Sequence, residues 1–409
     1  MKVVWLCNYS IYHIKDKIDI NIDFRNISMA TWLLYLKEEI LANYKNVELS
    51  IIFYGFFKKD HIVREENITY YALNFGYEFI MRILNRTGLK FITKYLFNRI
   101  EKKLAKKVKS INPDIINVHG TENLFGKIAN ELNYPTLVTI QGFAFRALQE
   151  SNPLDYQKIY KKIFKHEIEV LERQKYFQTV RGHIEDFVRS YNKNAHFFRL
   201  FYPISDYAFS LFDKQFTKNN DLIFVGGLLK RKGIEDFIKA IDIIKNKKSD
   251  ISAKIIGYNS IKQYELLTDM INQMSLQENI KLIGFVESHD EILMEVKKSR
   301  VFVLPTYADT GPRSVAEAMA IGTPVVSYNV DGMPFMVENN ICGILAEKGN
   351  VKELAESIYS ILSDDLLAAR LSINAYDFAK EYFSLKKNTN ELINIYKTII
   401  DLEKSDENK

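Results

Sequence analysis

Two carboxylates, Asp309 and Glu317, stand eight positions apart in the stretch VFVLPTYADTGPRSVAEAMAIGTPVVSY, with Gly311, Pro312, Arg313 and Ser314 between them. The apolar run ends at Pro305, a polar loop follows, and Ser314 to Ile321 reads as a short helix that Gly322 stops before TPVVSY resumes a strand. A helix that begins just after a strand presents backbone N–H groups and a partial positive charge beyond the strand end. That is chemistry suited to a phosphate. Ser314-x-x-Glu317 also fits a capping box, in which the serine caps the helix and the glutamate reaches back to it. One helix end can serve both purposes.

A second stretch repeats the logic. The apolar run DLIFV leads into Gly226-Gly227, and Lys230, Arg231 and Lys232 precede a helix starting near Gly233. Glycines let a phosphate approach the backbone and lysine neutralises it; a solvated surface loop has the same composition. In the first half, NPDIINVHG ends a strand at His119-Gly120, and YPTLVTIQG ends another at Gln141-Gly142. Strand ends are where open α/β sheets bind ligands, although a lone histidine is commonly structural. Arg181, Gly182 and His183 are candidates by location alone.

These residues need a frame, and the alternation of short apolar runs with helical patterns of ten to fifteen residues supplies one. Lys2 to Cys7, Val47 to Tyr54, DIINV, TLVTI, DLIFV, AKIIGY, IKLIGFV and RVFVLP read as buried parallel strands joined by right-handed crossovers. A chain of 409 residues exceeds one hydrophobic core. The polar and aromatic connector Ser205 to Asn220 marks a hinge, giving domains at 1–205 and 206–385, with a terminal helix and polar tail at 386–409. In that helix Leu392, Ile395, Tyr396 and Ile399 recur at helical spacing.

Composition narrows the class further. With 47% hydrophobic and 26% charged residues and a net charge of +5, the chain is ordinary and globular, with no general call for nucleic acid. Cys7 and Cys342 are its two cysteines, without metal-ligand spacing, which points to a reducing, cytoplasmic setting. No apolar run reaches bilayer-spanning length, and MKVVWLCNYS fits a first strand better than a signal peptide. Asp19, Asn21 and Asp23 start like a calcium loop, but Phe24 and Ala30 replace its glycine and closing glutamate. The run from 90 to 110, with Lys94, Arg99, Lys102, Lys103, Lys106, Lys107 and Lys109, fits either a solvated helix face or peripheral contact with an anionic membrane.

Asp309, seven residues and Glu317, followed by AMAIGTPVV, resemble the acid-x7-Glu motif of the family 4 retaining glycosyltransferases. The resemblance implies a GT-B fold, two Rossmann-like parallel-sheet domains facing a cleft, with a C-terminal helix crossing back to the first. It further implies that Glu317 holds the nucleotide ribose, that Asp309 lies beside the transferred sugar where the family usually has glutamate, and that His119 approaches the donor sugar. Lys232-Gly233 matches the family's diphosphate contact, while Gly227 stands where an arginine is usual, leaving Arg231 or Arg313 to compensate. Gly226, Gly311, Pro312 and Ser314 complete the implied donor contacts, and Phe285, beside Gly284, falls at the implied nucleobase edge.

The resemblance covers most of the C-terminal half and scattered strand ends of the N-terminal half. It implies a transferase that moves a sugar from a nucleotide diphosphate to a hydroxyl of a glycan or lipid-linked glycan in bacterial surface polysaccharide synthesis. Retention of configuration is implied, with no cofactor beyond the donor and, since no Asp-x-Asp occurs, no metal. A sugar-nucleotide epimerase of the same fold, and a nucleotide-sugar-binding protein without turnover, are the rival readings.

Overall fold

The computed structural model describes residues 1–9, 14, 17–18, 31–55, 57, 59–75, 90–121, 124–140, 154–180, 182–258 and 260–407. The calcium-like run at 19–23, Gln141-Gly142 and Arg181 lie outside the described residues. The chain divides into two units: Met1–Thr179 with Ile184–Leu200 and Thr389–Lys409, and Val180–His183 with Phe201–Asn388. The main crossings, at Leu200/Phe201 and Asn388/Thr389, fall a few residues from the boundaries drawn after 205 and 385.

The first unit runs β1 (Lys2–Leu6), α1 (Thr31–Asn43), β2 (Glu48–Gly55), β3 (His61–Glu65), β4 (Ile68–Asn74), α2 (Lys90–Ile111), β5 (Ile115–His119), α3 (Leu124–Glu131), β6 (Thr136–Thr139), α4 (Leu154–Arg173), β7 (Tyr176–Thr179), α5 (His183–Tyr191) and β8 (His196–Arg199). Its sheet has the order β3-β4-β2-β1-β5-β6-β7-β8, parallel except for the β3–β4 pair. Every residue of β5 and β6 is buried, as expected of strands covered on both faces. The β3–β4 hairpin, unforeseen in the sequence, turns at Glu66-Asn67 with Glu66 in the left-handed region.

The second unit runs α6 (Asp206–Ser210), β9 (Asn220–Val225), α7 (Ile234–Lys245), β10 (Ala253–Ile256), α8 (Ile261–Gln273), β11 (Ile280–Gly284), α9 (His289–Lys297), β12 (Ser299–Leu304), α10 (Arg313–Ile321), β13 (Val325–Tyr328), α11 (Met333–Met336), β14 (Gly343–Ala346), α12 (Val351–Ser363) and α13 (Asp365–Tyr382). All pairings in its sheet, β11-β10-β9-β12-β13-β14, are parallel. Right-handed crossovers on such an order place helices on both faces.

The last helix, α14 (Leu385–Glu407), returns to the first unit from Thr389 onward. There the buried Tyr396 hydroxyl accepts from Trp5 Nε1 at 2.9 Å and donates to Asn117 Oδ1 at 2.6 Å. Lys175 and Tyr176 reach Glu403 at 3.0 and 2.7 Å. An aromatic hydroxyl with two buried partners fixes the helix in register as well as in place.

Candidate functional site

The second sheet reverses its winding between β9 and β12: the chain moves outward through β10 and β11, then returns to β12 on the other side of β9. The loops leaving these two strands part at the switch point, where α/β sheets hold ligands. Here they are stitched together. Tyr307 N donates to Arg231 O at 2.8 Å, and Arg231 Nη1 donates to Ala308 O at 2.9 Å. Gly233, at φ +76°, approaches so closely that a Cβ there would lie 1.9 Å from the Pro305 carbonyl oxygen. The stitching brings the Lys232 ammonium onto the Asp309 carboxylate, with side chains only 19% and 13% exposed.

Asp309 is held from several directions. Its N–H donates to Asp331 Oδ2 at 3.0 Å, its carbonyl accepts from Gly332 N at 3.0 Å, and its Oδ1 accepts from Gly311 N at 3.3 Å. Behind the loop, buried Asp236 on α7 accepts hydroxyls from Tyr307 at 2.6 Å and Tyr328 at 2.8 Å. Burial and the Asp236 hydrogen bond push Tyr307 up to about 12, so it remains a donor at neutral pH. The loop after β12 is thus braced by groups absent from the sequence-level candidates.

The helix after that loop begins one residue earlier than the sequence suggested. Pro312 occupies the N-cap and Arg313 is the first helical residue. Ser314 is therefore the second helical residue and Glu317 the fifth, which breaks the capping-box geometry of N-cap and third residue. Glu317 turns elsewhere: its Oε1 hydrogen-bonds His289 Nε2 at 2.9 Å and lies 2.8 Å from Arg313 Nη2 in an ion pair. Burial pulls this carboxyl upward, but the Arg313 charge and the His289 hydrogen bond outweigh it and hold the pKa below the ordinary value. Glu317 is an ionised acceptor in a buried setting.

Gly226 and Gly227 sit at the end of β9 with ordinary φ, and a Cβ at either would meet neighbours only at 3.6 Å or beyond. The protein itself leaves both positions room for a side chain. Arg231 and Arg313, expected to replace the missing arginine, already serve Ala308 O and Glu317. Phe285, past the end of β11, is 58% exposed. Lys232, Asp309, Gly311, Pro312, Arg313, Ser314 and Glu317 all belong to this one switch point, as do Gly226 and Gly227.

His119 belongs to the first unit, at the carboxyl end of β5. Its ring lies edge-on to Trp5 and Trp32 at 5.1 Å each, and both ring nitrogens are buried without a hydrogen-bond partner among the described residues. Burial pushes its pKa down to about 3, so the imidazole is neutral at physiological pH. A neutral imidazole offers one donor and one acceptor.

His289, Asp331 and Asp236 escaped sequence reasoning. His289 is the first residue of α9, at the end of the loop that leaves β11, another carboxyl end of the same sheet, and that topological fact was the available signal. Among the described residues no group of three or more His, Cys, Asp or Glu side chains is placed to hold a metal.

Two doubly wound units define a protein of GT-B fold, and comparison with solved structures agrees. Sucrose-phosphate synthase from Thermosynechococcus elongatus superposes with a TM-score of 0.75 at 16% identity, over 98% of this chain and 99% of that one. Anabaena HepE, solved with UDP and glucose, gives a TM-score of 0.66 at 13% identity, over 97% of this chain and 100% of that one. Residues 209–378 match the family described as Glycosyl transferases group 1. Among curated relatives, the capsular polysaccharide biosynthesis glycosyltransferase CapM of Staphylococcus aureus is 28% identical over 46% of this chain and 49% of its own. The amylovoran biosynthesis glycosyltransferase AmsK of Erwinia amylovora is 31% identical over 37% of this chain and 40% of its own. The chain spans about half the length of the curated relatives it matches.

Proposed function

We propose that this protein transfers a sugar from a nucleoside-diphosphate donor to a hydroxyl of a glycan or lipid-linked glycan, with retention of configuration and without a metal. The observation that carries the reading is the convergence, at one switch point, of Lys232, the acid pair Asp309 and Glu317, and the start of α10. In this reading the diphosphate takes Lys232, the Gly226-Gly227 backbone and the N–H groups that open α10, where negative charge is favoured as it develops on the leaving group. Glu317 accepts from ribose hydroxyls, Asp309 orients the sugar, and Phe285 borders the base. The family match, and the UDP-bound neighbour HepE, support a nucleotide sugar as donor. Capsule and amylovoran relatives support a surface-polysaccharide acceptor. Retention by a front-face route fits carboxylates that are both already held by cations and so poorly placed to attack. His119, a neutral donor and acceptor with no hydrogen-bond partner among the described residues, suits a sugar hydroxyl.

A peripheral membrane contact also fits. On α2, Arg99, Lys102, Lys106 and Lys109 are exposed at spacings of three, four and three, whereas Lys103 pairs with Asp60 and Lys107 covers the Tyr71 ring. The outward stripe suits anionic lipid headgroups. No helix among the described residues is long and apolar enough to cross a membrane. Charge reversal at Lys102 and Lys106 should abolish flotation with anionic vesicles if the stripe docks there.

The test of the central reading is a thermal-shift panel of nucleotide sugars, followed by product analysis with and without acceptor, in the presence of EDTA. A bound donor raises stability by RT ln(1 + [L]/Kd). Absence of any shift at millimolar concentration refutes the reading. Epimerised donor without acceptor would point to an epimerase, and binding without turnover to a binding protein.

A further inference from the structure

We infer that His289 is a positioning residue that keeps one oxygen of Glu317 open to receive a ribose hydroxyl, an inference that rests on the donor reading above. His289 Nε2 makes a hydrogen bond to Glu317 Oε1 at 2.9 Å, and Arg313 Nη2 lies 2.8 Å from the same oxygen as an ion-pair contact. Both contacts fall on Oε1, and an ionised carboxylate carries lone pairs on each oxygen, so Oε2 is left as an acceptor. The His289 bond fixes the rotation of the carboxylate and with it the direction in which Oε2 faces.

The histidine is well placed to impose this. It is the first residue of α9, and the helix start is fixed by Ser288, whose hydroxyl accepts from Glu291 N at 3.3 Å. Its side chain is 31% exposed while the Glu317 side chain is 7% exposed, so the imidazole is the more solvent-accessible partner of the pair. The bond requires a proton on Nε2, since an ionised carboxylate only accepts. The two helices carrying the pair, α9 and α10, follow β11 and β12, which are separated by β9 and β10 in the sheet. The contact is therefore made by convergence at the carboxyl ends.

The test is calorimetric titration of the full chain with UDP, GDP and ADP. The tightest of these is then compared with its 2′,3′-dideoxy counterpart. The wild type should favour the ribose form, and His289→Ala should weaken ribose-form binding about 10- to 150-fold, the range of one lost hydrogen bond to a charged group. Binding of the dideoxy form should be unchanged within about 2-fold. His289→Gln, whose amide N–H can occupy the Nε2 position, should restore most of the loss. Adding His289→Ala to Glu317→Gln should change nothing further. Equal weakening of ribose and dideoxy forms, or no weakening of either, overturns the inference even though nucleotides bind. If no nucleotide binds the wild type, the donor reading falls and this inference falls with it.

Discussion

Asp309→Asn is the perturbation that most directly interrogates the switch point. Lys232 is paired with Asp309, so on the donor reading a diphosphate that recruits the lysine must first displace that carboxylate. Two unit charges about 4 Å apart at an effective dielectric near 20 attract by roughly 4 kcal/mol. Desolvation of two largely buried side chains cancels much of this, leaving a net coupling of about 1–2 kcal/mol. Removing the charge at 309 should therefore tighten binding of a bare nucleoside diphosphate by about 5- to 30-fold. Transfer should fall by at least about 100-fold if, as proposed, Asp309 orients the sugar, because that group has lost its charge. Calorimetry with the diphosphate measures the first effect and single-turnover transfer the second. The double mutant Lys232→Met/Asp309→Asn closes the cycle and isolates the pair. Weaker diphosphate binding by Asp309→Asn would refute the competition, because it would make Asp309 a supporter of the phosphate site.

Four further outcomes follow from the same geometry. Glu317→Gln breaks a buried ion pair with Arg313 and should destabilise the second unit by about 2–4 kcal/mol while raising donor Kd, both read from denaturant titrations with and without nucleotide. Gly233→Ala cannot keep its left-handed φ or its approach to Pro305 O, so it should cost about 2–3 kcal/mol and loosen nucleotide binding with it. His119 is depressed to about 3 when folded and near 6.5 when unfolded, so the unfolded chain binds the proton first and stability falls as pH drops through that window. Between pH 7 and pH 5 the loss should be about 2 kcal/mol, and His119→Leu should flatten it; Trp5 and Trp32, the chain's two tryptophans, report unfolding of this unit by fluorescence. Tyr396→Phe strips buried partners from Trp5 and Asn117 and should cost about 2–4 kcal/mol, visible in the same signal.

Much of the frame was legible because parallel strands covered on both faces write themselves as apolar runs, as DIINV and RVFVLP do. The edge hairpin was not. HIVRE alternates half-buried and exposed residues with a weak apolar signal, and its two-residue turn uses Glu66 and Asn67 in place of glycine. At the switch point, Lys232, Asp309 and Glu317 are legible as candidates because each stands at a recognisable loop or helix start. Their partners were harder to see. Arg313 is four residues before Glu317 on one helix face and could be paired by spacing, but His289 comes from another βα loop, and no local pattern links them. The capping box failed for a local reason: the helix starts directly after Pro312, so serine and glutamate fall two positions too deep.

The two carboxylates of the pair differ in how firmly they are held, and that difference gives them different work on the donor reading. Glu317 is gripped by groups on two helices, so an arriving nucleotide finds its acceptor oxygen already aimed. Asp309 is gripped by Lys232, the cation that the diphosphate itself needs. A bare diphosphate that takes the lysine strands Asp309 as a partly buried, uncompensated anion beside it. A donor with its sugar in place offers hydroxyls to the released carboxylate and relieves the penalty. The pair would thus favour the intact donor over the diphosphate product, and the ratio of the two affinities is its measure. Asp309→Asn should lower that ratio by tightening the product and loosening the donor together, and Asp309→Glu, which retains the charge, should keep it. A ratio unchanged in Asp309→Asn would leave the lysine as a simple phosphate contact and remove Asp309 from donor selection.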